Sequence, residues 1–401
     1  MAPYLVSVTC VWVAAGCLLP AVEVAAGPLR LEPYGQMLFQ NGRFELHPTA
    51  SAGIGYDSNL DGNGASDSFV HGTIGGIAHW YANPDLDLEM ALETGNTRFR
   101  EFTQRNTQDA DGRISAIYTG PAWTTTADVN GARGREAEPI TGEQVLRNRY
   151  GLGSVSERMD EGLYARLGVG FDRVAYLEDT TLFLRDQGGR LVSQGEIKLG
   201  WRTHTETRLY ALSRIRQIVY DDEGRFRNGT LVDVGAGLGS RIVPTVTASA
   251  EIGASFARFS APAFDDPAYD DAQVTSPFTL VSARWEWEPG STLTARASHT
   301  LSDGRTANAI TRTLVGGDAE YRLRSRLSAF ADAALSREKD SGAAAGNEPA
   351  LRRISEAAVG VRGTITPGIG FQVRTEWSRV SDAAGGGYDR HTIEGTLGFA
   401  F

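Results

Sequence analysis

Residues 369–377 read Ile-Gly-Phe-Gln-Val-Arg-Thr-Glu-Trp, and this stretch indicates the fold of the chain. Every second position, from Ile369 to Trp377, carries an apolar, β-branched or aromatic side chain. The positions between them carry glycine, glutamine, arginine and glutamate. Because successive side chains of a β-strand point to opposite faces, the alternation predicts a strand with one apolar and one polar face.

The same alternation recurs along the chain, clearly in 246–256, 281–287 and 392–401, and no helical periodicity is visible beyond residue 40. It predicts eighteen strands. Their expected ranges are 45–57, 68–81, 85–99, 111–119, 122–134, 144–157, 162–176, 190–203, 206–220, 228–241, 245–259, 274–288, 291–303, 308–322, 325–338, 352–365, 369–381 and 388–401.

The connections between these strands alternate in length. Short turns such as Asn83-Pro84-Asp85 and Glu288-Pro289-Gly290 alternate with longer polar stretches such as 177–189 and 260–273. Outer-membrane barrels have short periplasmic turns and longer external loops, and lipid requires a closed sheet without free edges. The sequence therefore predicts an all-β fold, a transmembrane antiparallel up-and-down β-barrel of about eighteen strands, with sixteen as the alternative.

Tryptophans near the predicted strand ends suit the aromatic girdles of a membrane barrel. They are Trp80, Trp123, Trp201, Trp287 and Trp377. The alternative is that they belong to the core of a soluble β-sandwich. The regular alternation of short and long connections favours the barrel.

Composition narrows the function further. The chain has 401 residues, a net charge of −10 and 47 glycines. An acidic chain without a basic face argues against binding of nucleic acid. The two cysteines, Cys10 and Cys17, lie close to the N-terminus, which excludes cysteine-ligated metal centres from the rest of the chain.

The first residues predict export. Residues 4–22 form the longest apolar run, and small residues suited to signal-peptidase cleavage follow it. We expect a signal peptide at 1–26, a short periplasmic segment at 27–44, and an outer-membrane barrel at 45–401. An uncleaved anchor, or a lipoprotein signal ending at Cys17, is the alternative.

The first predicted strand resembles a known family. Phe44-Glu45-Leu46-His47-Pro48 and Gly53-Ile54-Gly55-Tyr56-Asp57-Ser58-Asn59 are similar to the opening of the β-barrel porin 2 type family, often encoded near exopolysaccharide and capsule genes. The resemblance implies an outer-membrane barrel with a pore and no catalytic residues. A similar opening occurs in barrels that assemble surface lipoproteins, which usually carry an additional N-terminal helical domain.

Motifs for chemistry are weak, and we expect no catalytic, cofactor or metal site. Asp57-Ser58-Asn59-Leu60-Asp61-Gly62 fits half of a calcium loop, but the twelfth position is Ser68 instead of glutamate. An acidic loop with Asp265, Asp266, Asp270 and Asp271 is expected to be solvated. His71 and His79, eight residues apart on one predicted strand, are too distant to share a metal.

The polar faces of the strands supply the candidate pore-lining residues. Charges of both signs are present in similar number, which suits either a channel or a network that stiffens the wall. The candidates are Arg166, Asp172, Glu196, Lys198, Arg202, Arg214, Arg216, Glu251, Arg284, Glu286, Arg296, Arg312, Asp318, Glu320, Glu356, Arg362, Arg374, Glu376, Arg390 and Glu394.

The final strand carries an expected assembly signal. Phe399 and Phe401 form the aromatic ending that the barrel-assembly machinery recognises in its clients, and both are expected to face lipid. The expected partners are this machinery, outer-membrane lipid and lipopolysaccharide, with components of polysaccharide export as a further possibility.

Three functions remain open from the sequence. The first is a porin-like channel for polar solutes. The second is an accessory barrel in export or attachment of surface polysaccharide. The third is a structural or assembly barrel with a closed lumen.

Overall fold

A computed structural model gives the structure of the chain. It describes residues 39–40, 43–59, 64–137, 144–158, 162–176, 189–203, 207–221, 228–260, 273–303, 309–341, 351–382 and 386–400. The predicted signal peptide, the acidic loop around Asp265, the end of the calcium-like motif from Leu60 to Gly62, and Phe401 lie outside the described residues.

The described chain is almost entirely β-strand, with one short 3-10 helix at Thr103–Arg105. The strands are β1 Phe39–Gln40, β2 Phe44–Asp57, β3 Asp67–Asn83, β4 Leu86–Phe99, β5 Thr107–Thr119, β6 Trp123–Ala137, β7 Gln144–Arg158, β8 Gly162–Tyr176, β9 Arg190–Arg202, β10 Arg208–Tyr220, β11 Gly229–Val243, β12 Val246–Phe259, β13 Gln273–Glu288, β14 Ser291–Asp303, β15 Ala309–Arg324, β16 Leu327–Asp340, β17 Leu351–Thr366, β18 Ile369–Asp382 and β19 Gly387–Ala400.

Strands β2 to β19 form a closed barrel. Each pairs antiparallel with the next, and β19 pairs with β2 from Thr392↔Asp57 to Ala400↔Thr49. The predicted transmembrane up-and-down barrel is confirmed, with eighteen strands rather than sixteen. Closure satisfies the backbone groups that an open edge would leave unpaired in lipid.

The short strand β1 was not predicted. It pairs with β2 through Phe39↔Leu46 and Gln40↔Glu45. The pairing of β19 with β2 ends at Ala400↔Thr49, so β1 covers part of the edge of β2 beyond that point. The segment before the barrel thus contributes backbone pairing where the last strand stops.

The two ends of the barrel differ in their connections. The short-turn end has connections at 84–85, 120–122, 159–161, 203–207, 244–245, 289–290, 325–326 and 367–368, and it also holds the start of β2 and the end of β19. Gly290 and Gly368 there have φ of 82° and 87°, a backbone conformation that glycine adopts without steric cost. The long-loop end carries the longer connections, such as 177–189 and 260–272.

The outer face of the barrel is apolar. Ile54, Ile74 and Leu92 are 68%, 70% and 68% exposed, as expected for side chains that meet lipid instead of a protein core. Trp80 and Trp201 are also exposed, near the short-turn end. These positions suit an interfacial girdle and not the core of a soluble sandwich. No helix among the described residues is long and apolar enough to cross a membrane.

One part of the wall is not regularly paired, and we call it the β13–β14 seam. β13 pairs with β12 from Gln273↔Arg258 onward, whereas its pairing with β14 is confined to positions from Thr279↔His299 toward the short-turn end. β14 nevertheless stays paired with β15 as far as Asp303↔Ala309. At the long-loop end, β14 has therefore separated from β13.

Pro277 lies in the part of β13 that has no β14 partner. Proline has no N–H to donate and is found in sheets mainly on edge strands. A proline within a predicted strand is thus the one local sequence signal for the seam.

Candidate functional site

The barrel interior is the candidate functional site. All twenty pore-lining candidates occupy positions that alternate with the exposed apolar residues, so they lie on the inner face. They are not equivalent, because packed side chains fill the inner face from the short-turn half of β8 and β9 to β13, whereas the inner face of β3 to β7 and of the long-loop half of β8 and β9 is open.

Five of the candidates form a buried charge network on β8, β9, β10 and β12. Arg166 Nε donates to Glu196 Oε1 at 3.0 Å, and Arg214 Nε donates to Glu196 Oε2 at 2.6 Å. Lys198 Nζ donates to Glu251 Oε1 at 2.7 Å, and Arg214 also donates to Glu251. The side chain of Glu196 is 1% exposed and that of Lys198 is 7% exposed. Buried charges are tolerated here because each has oppositely charged partners.

Aromatic side chains fill the space next to this network. The Tyr210 hydroxyl donates to Glu251 Oε1 at 2.8 Å, and Tyr210 packs in a buried cluster with Tyr164, Leu212 and Phe278. Phe278 lies against the backbone of Gly235 and Gly253, where an added Cβ would come within 2.8 Å and 2.5 Å of its ring. The β8–β13 wall is therefore thickened by packed side chains.

A second apolar cluster lies inside the barrel at the long-loop end. Ile218, Leu231 and Phe259, on the inner faces of β10, β11 and β12, pack with Leu301 of β14, which is 1% exposed. By alternation Leu301 shares the outward face of Leu293, which is exposed. Leu301 is buried because the end of β14 has moved into the barrel interior at the seam. There the outward face of β14 packs against the inner face of β10 to β12.

Polar contacts hold this end of β14, which we call the tucked end (Leu301–Asp303). Asp303 forms an ion pair with Arg190 of β9, and the Tyr220 hydroxyl lies 3.5 Å from the Asp303 carboxylate. Arg216 Nη2 donates to the Leu301 carbonyl at 2.9 Å. Since β9 and β10 are four to five strands away from β14, these contacts cross the interior and narrow the long-loop mouth.

An open cavity of about 780 Å³ lies along β3 to β7 and extends to the long-loop half of β8 and β9. Glu93, Asp109 and Asp111 line one side of it. The other side carries two ion pairs, Arg113–Asp128 at 2.5 Å and Arg149–Asp172 at 3.0 Å. The cavity therefore offers donors and acceptors of both charges to a solute.

The inner face of β2 to β5 is strongly acidic, and we call it the acidic wall. On the described parts of these strands, eight carboxylates and one guanidinium, that of Arg113, face the interior. The carboxylates belong to Glu45, Asp57, Asp67, Asp87, Glu89, Glu93, Asp109 and Asp111. The charge balance expected from the sequence candidates does not extend to these strands.

Sequence reasoning missed the acidic wall because the candidates began at β8. The signal was present: Asp87, Glu89 and Glu93 alternate with Leu88, Met90 and Leu92 in β4. The same alternation places Glu157, Asp233, Asp332, Glu338, Asp340 and Arg352 on the inner face, and these too were not among the candidates.

The remaining candidates on β15 to β19 pair locally. Arg362 and Glu320 approach to 2.5 Å, Arg374 and Glu376 to 3.2 Å, and Arg312 lies 3.5 Å from Glu338. Glu394 lies 3.6 Å from His71, and Arg390 contacts Asp57 at 2.5 Å. Arg202, Arg284, Glu286, Arg296, Asp318 and Glu356 lie outside the network on β8–β12.

The described part of the calcium-like motif is used for loop anchoring. Asp57 Oδ1 accepts from the Asn59 backbone N–H at 3.0 Å, and Asp57 Oδ2 accepts from Arg390. The Asn59 side chain donates to the Asp389 carbonyl at 2.6 Å. Within the described ranges, no group of three or more His, Cys, Asp or Glu side chains is arranged to hold a metal.

Two histidines do approach each other. The rings of His47 and His79 are 6.1 Å apart across β2 and β3, near the short-turn end. This contact joins residues from neighbouring strands, which spacing along the chain could not indicate. His71 and His79 stay eight residues apart along β3.

Comparison with known proteins supports the fold. No family model matches the chain, and no curated protein matches it in sequence. The outer membrane protein opdK from Pseudomonas aeruginosa matches with a TM-score of 0.52 and 11% identity, over 89% of this chain and 99% of that chain. A structure of OpdK with vanillate matches with a TM-score of 0.50 and 12% identity, over 88% of this chain and 99% of that chain. The chain is thus similar in fold to an outer-membrane barrel, and the specific family that its first strand resembles stays a prediction.

Proposed function

We propose that this protein is an outer-membrane channel for small polar solutes. The observation that carries the proposal is the open cavity of about 780 Å³ inside a closed barrel with an apolar outer face. That volume is within the range of pockets that take small molecules, roughly 300–1,000 Å³. The charged lining supplies hydrogen-bond partners that replace the water lost by an entering solute.

The acidic wall gives this channel a preference for cations. Rings and rows of carboxylates lower the energy of a cation in a pore and raise that of an anion. Arg166 of β8 and Arg214 of β10 do not cancel the effect, because both are paired within the buried network. We therefore expect potassium to pass more readily than chloride.

The tucked end sets the narrowest part of the route in this proposal. It lies at the long-loop mouth. Two interactions hold it there, the packing of Leu301 in the apolar cluster and the ion pair between Asp303 and Arg190. A solute that enters from the long-loop end must pass beside it to reach the cavity.

Recording from purified protein in planar lipid bilayers tests the proposal. We expect discrete conductance steps and, under a potassium chloride gradient, a reversal potential whose sign reports cation preference. Heat-modifiable migration in detergent gels checks that the barrel is folded. Folded protein that inserts but never conducts would refute the channel and support a closed structural barrel.

Export of polysaccharide stays the alternative suggested by the family resemblance. No feature of the described interior favours it specifically. The filled wall beside β8 to β13 and the tucked end leave less room for a long polymer than for a small solute.

A further inference from the structure

The outer face of β16 and β17 carries a cluster of cations at its long-loop end. Arg337 and Lys339 of β16 and Arg353 of β17 are exposed and share the outer face with the apolar residues Leu335 and Val359 of the same strands. We call these three residues the basic patch. Arg379 of β18, also exposed, lies beside it and pairs with Asp389 at 3.2 Å.

The cations of the basic patch are close neighbours on the outer face. Arg337 and Arg353 are directly opposite in the antiparallel pairing of β16 and β17. Lys339 lies two residues further along the same face, at a distance of about 7 Å. Like charges directly opposite in a sheet are destabilising unless an anion lies between them.

The charged groups of the basic patch have no partner within the described part of the chain. No ion pair or side-chain hydrogen bond joins Arg337, Lys339 or Arg353 to another described residue. Glu338 and Asp340 lie between them in sequence, but they point to the inner face, where both contact Arg352. The patch is therefore open to a negatively charged group from outside the barrel.

An apolar surface lies directly below these cations. Leu335 of β16 and Val359 of β17 are 63% and 53% exposed on the same outer face, and Trp377 of β18 is also exposed there. Tryptophan is enriched where a membrane protein crosses from hydrocarbon to headgroups. A ligand bound across this boundary would need anionic groups joined to hydrocarbon chains.

We propose that the basic patch is a binding site for the phosphate groups of an outer-leaflet lipid, with its acyl chains lying on Leu335 and Val359. A lipopolysaccharide with two phosphates fits this chemistry, because guanidinium groups bind phosphate through paired hydrogen bonds. The inference rests on the proposed outer-membrane location, with the long-loop end facing the outer leaflet.

The test compares binding of purified short-chain lipopolysaccharide by two variants in the same detergent. The first carries Arg337→Gln, Lys339→Gln and Arg353→Gln. The matched control carries Arg98→Gln, Arg133→Gln and Arg258→Gln, which remove three exposed cations from β4, β6 and β12 near the same end of the barrel.

Because a basic residue near an anionic membrane surface contributes about fivefold in affinity, we expect the first variant to bind on the order of a hundredfold more weakly. The control should stay within about twofold of the unmodified protein. A third variant with Arg337→Lys and Arg353→Lys keeps the charge but loses the paired hydrogen bonds, and should bind more tightly than the first variant and more weakly than the unmodified protein. Equal binding by the first variant and the unmodified protein would overturn the inference.

Two further ligands separate the sources of phosphate. Lipopolysaccharide stripped of phosphate keeps its acyl chains and should bind weakly to the unmodified protein, and equal binding would show that charge is irrelevant. Inorganic phosphate at millimolar concentration should not displace the lipid, and displacement would assign the site to free phosphate. Conductance in lipopolysaccharide-free bilayers is recorded separately, so loss of the channel and loss of the lipid site remain distinguishable.

Discussion

Replacing Leu301 by alanine should loosen the tucked end of β14 and open the long-loop mouth. Leu301 is 1% exposed and packs with Ile218, Leu231 and Phe259 inside the barrel. Truncation of a fully buried leucine to alanine costs about 3 kcal/mol, within a usual range of about 2–5 kcal/mol. The polar contacts of Asp303 and of the Leu301 carbonyl are left in place, so the barrel itself should still form.

The substitution destabilises the state in which the end of β14 lies inside the barrel, which we call tucked. It leaves the state in which this end has moved out, which we call released, unaffected, because the cluster around Leu301 exists only in the tucked state. About 3 kcal/mol corresponds to roughly a hundredfold change in the ratio of tucked to released molecules. In single-channel recordings, we expect the fraction of time spent in a higher-conductance state to rise by about that factor, up to saturation.

Leu92→Ala is the matched control, since Leu92 is 68% exposed on the outer face of β4, far from the cluster and the seam. It should leave the conductance states unchanged. Folded Leu301→Ala protein with the conductance pattern of the unmodified channel would refute the view that the tucked end is the constriction.

Three further substitutions probe the interior. Glu251→Ala leaves Lys198 and Arg214 with Glu196 as their remaining carboxylate partner and removes the acceptor of the Tyr210 hydroxyl, and should lower the free energy of unfolding by about 3 kcal/mol in urea titrations of the vesicle-embedded protein; an unchanged midpoint would contradict the network. Asp111→Asn removes an exposed charge of the acidic wall and should reduce the preference for potassium over chloride about two- to threefold at low salt, whereas Asp389→Asn on the outer face should not. Gly253→Ala places a Cβ 2.1 Å from a backbone oxygen of β11 and should reduce the folded, heat-modifiable fraction; equal folding of this variant and of Gly239→Ala, whose Cβ meets nothing within 4 Å, would argue against tight packing of that wall.

Much of the fold could be predicted because the barrel repeats one local rule. In β18, Phe371, Val373 and Trp377 alternate with Arg374 and Glu376, and the same parity assigns inner and outer faces throughout. The rule needs only neighbouring residues, since the side-chain period of a strand is two. Counting such segments and the turns between them favours eighteen strands, with sixteen as the alternative.

The contacts of the candidate site could not be predicted in the same way. The ion pair between Arg190 and Asp303 joins residues 113 positions apart, and the pair Arg390–Asp57 joins residues 333 positions apart. Alternation predicts the face of the strand on which each of these side chains lies. It does not predict which strands contact each other across the interior, or which residues pair where the barrel closes.

The alternation along the chain predicts the barrel and the two faces of each strand, because both depend on a local period of two, and it favours eighteen strands with sixteen as the alternative. The burial of Leu301 inside the barrel follows instead from the pairing between strands, since β14 leaves β13 beyond His299 and carries this outward residue into the interior. The register between β16 and β17 likewise brought Arg337 opposite Arg353. Register and closure arise from pairing between strands and from packing across the interior, and these interactions link residues whose separation along the chain carries no signal.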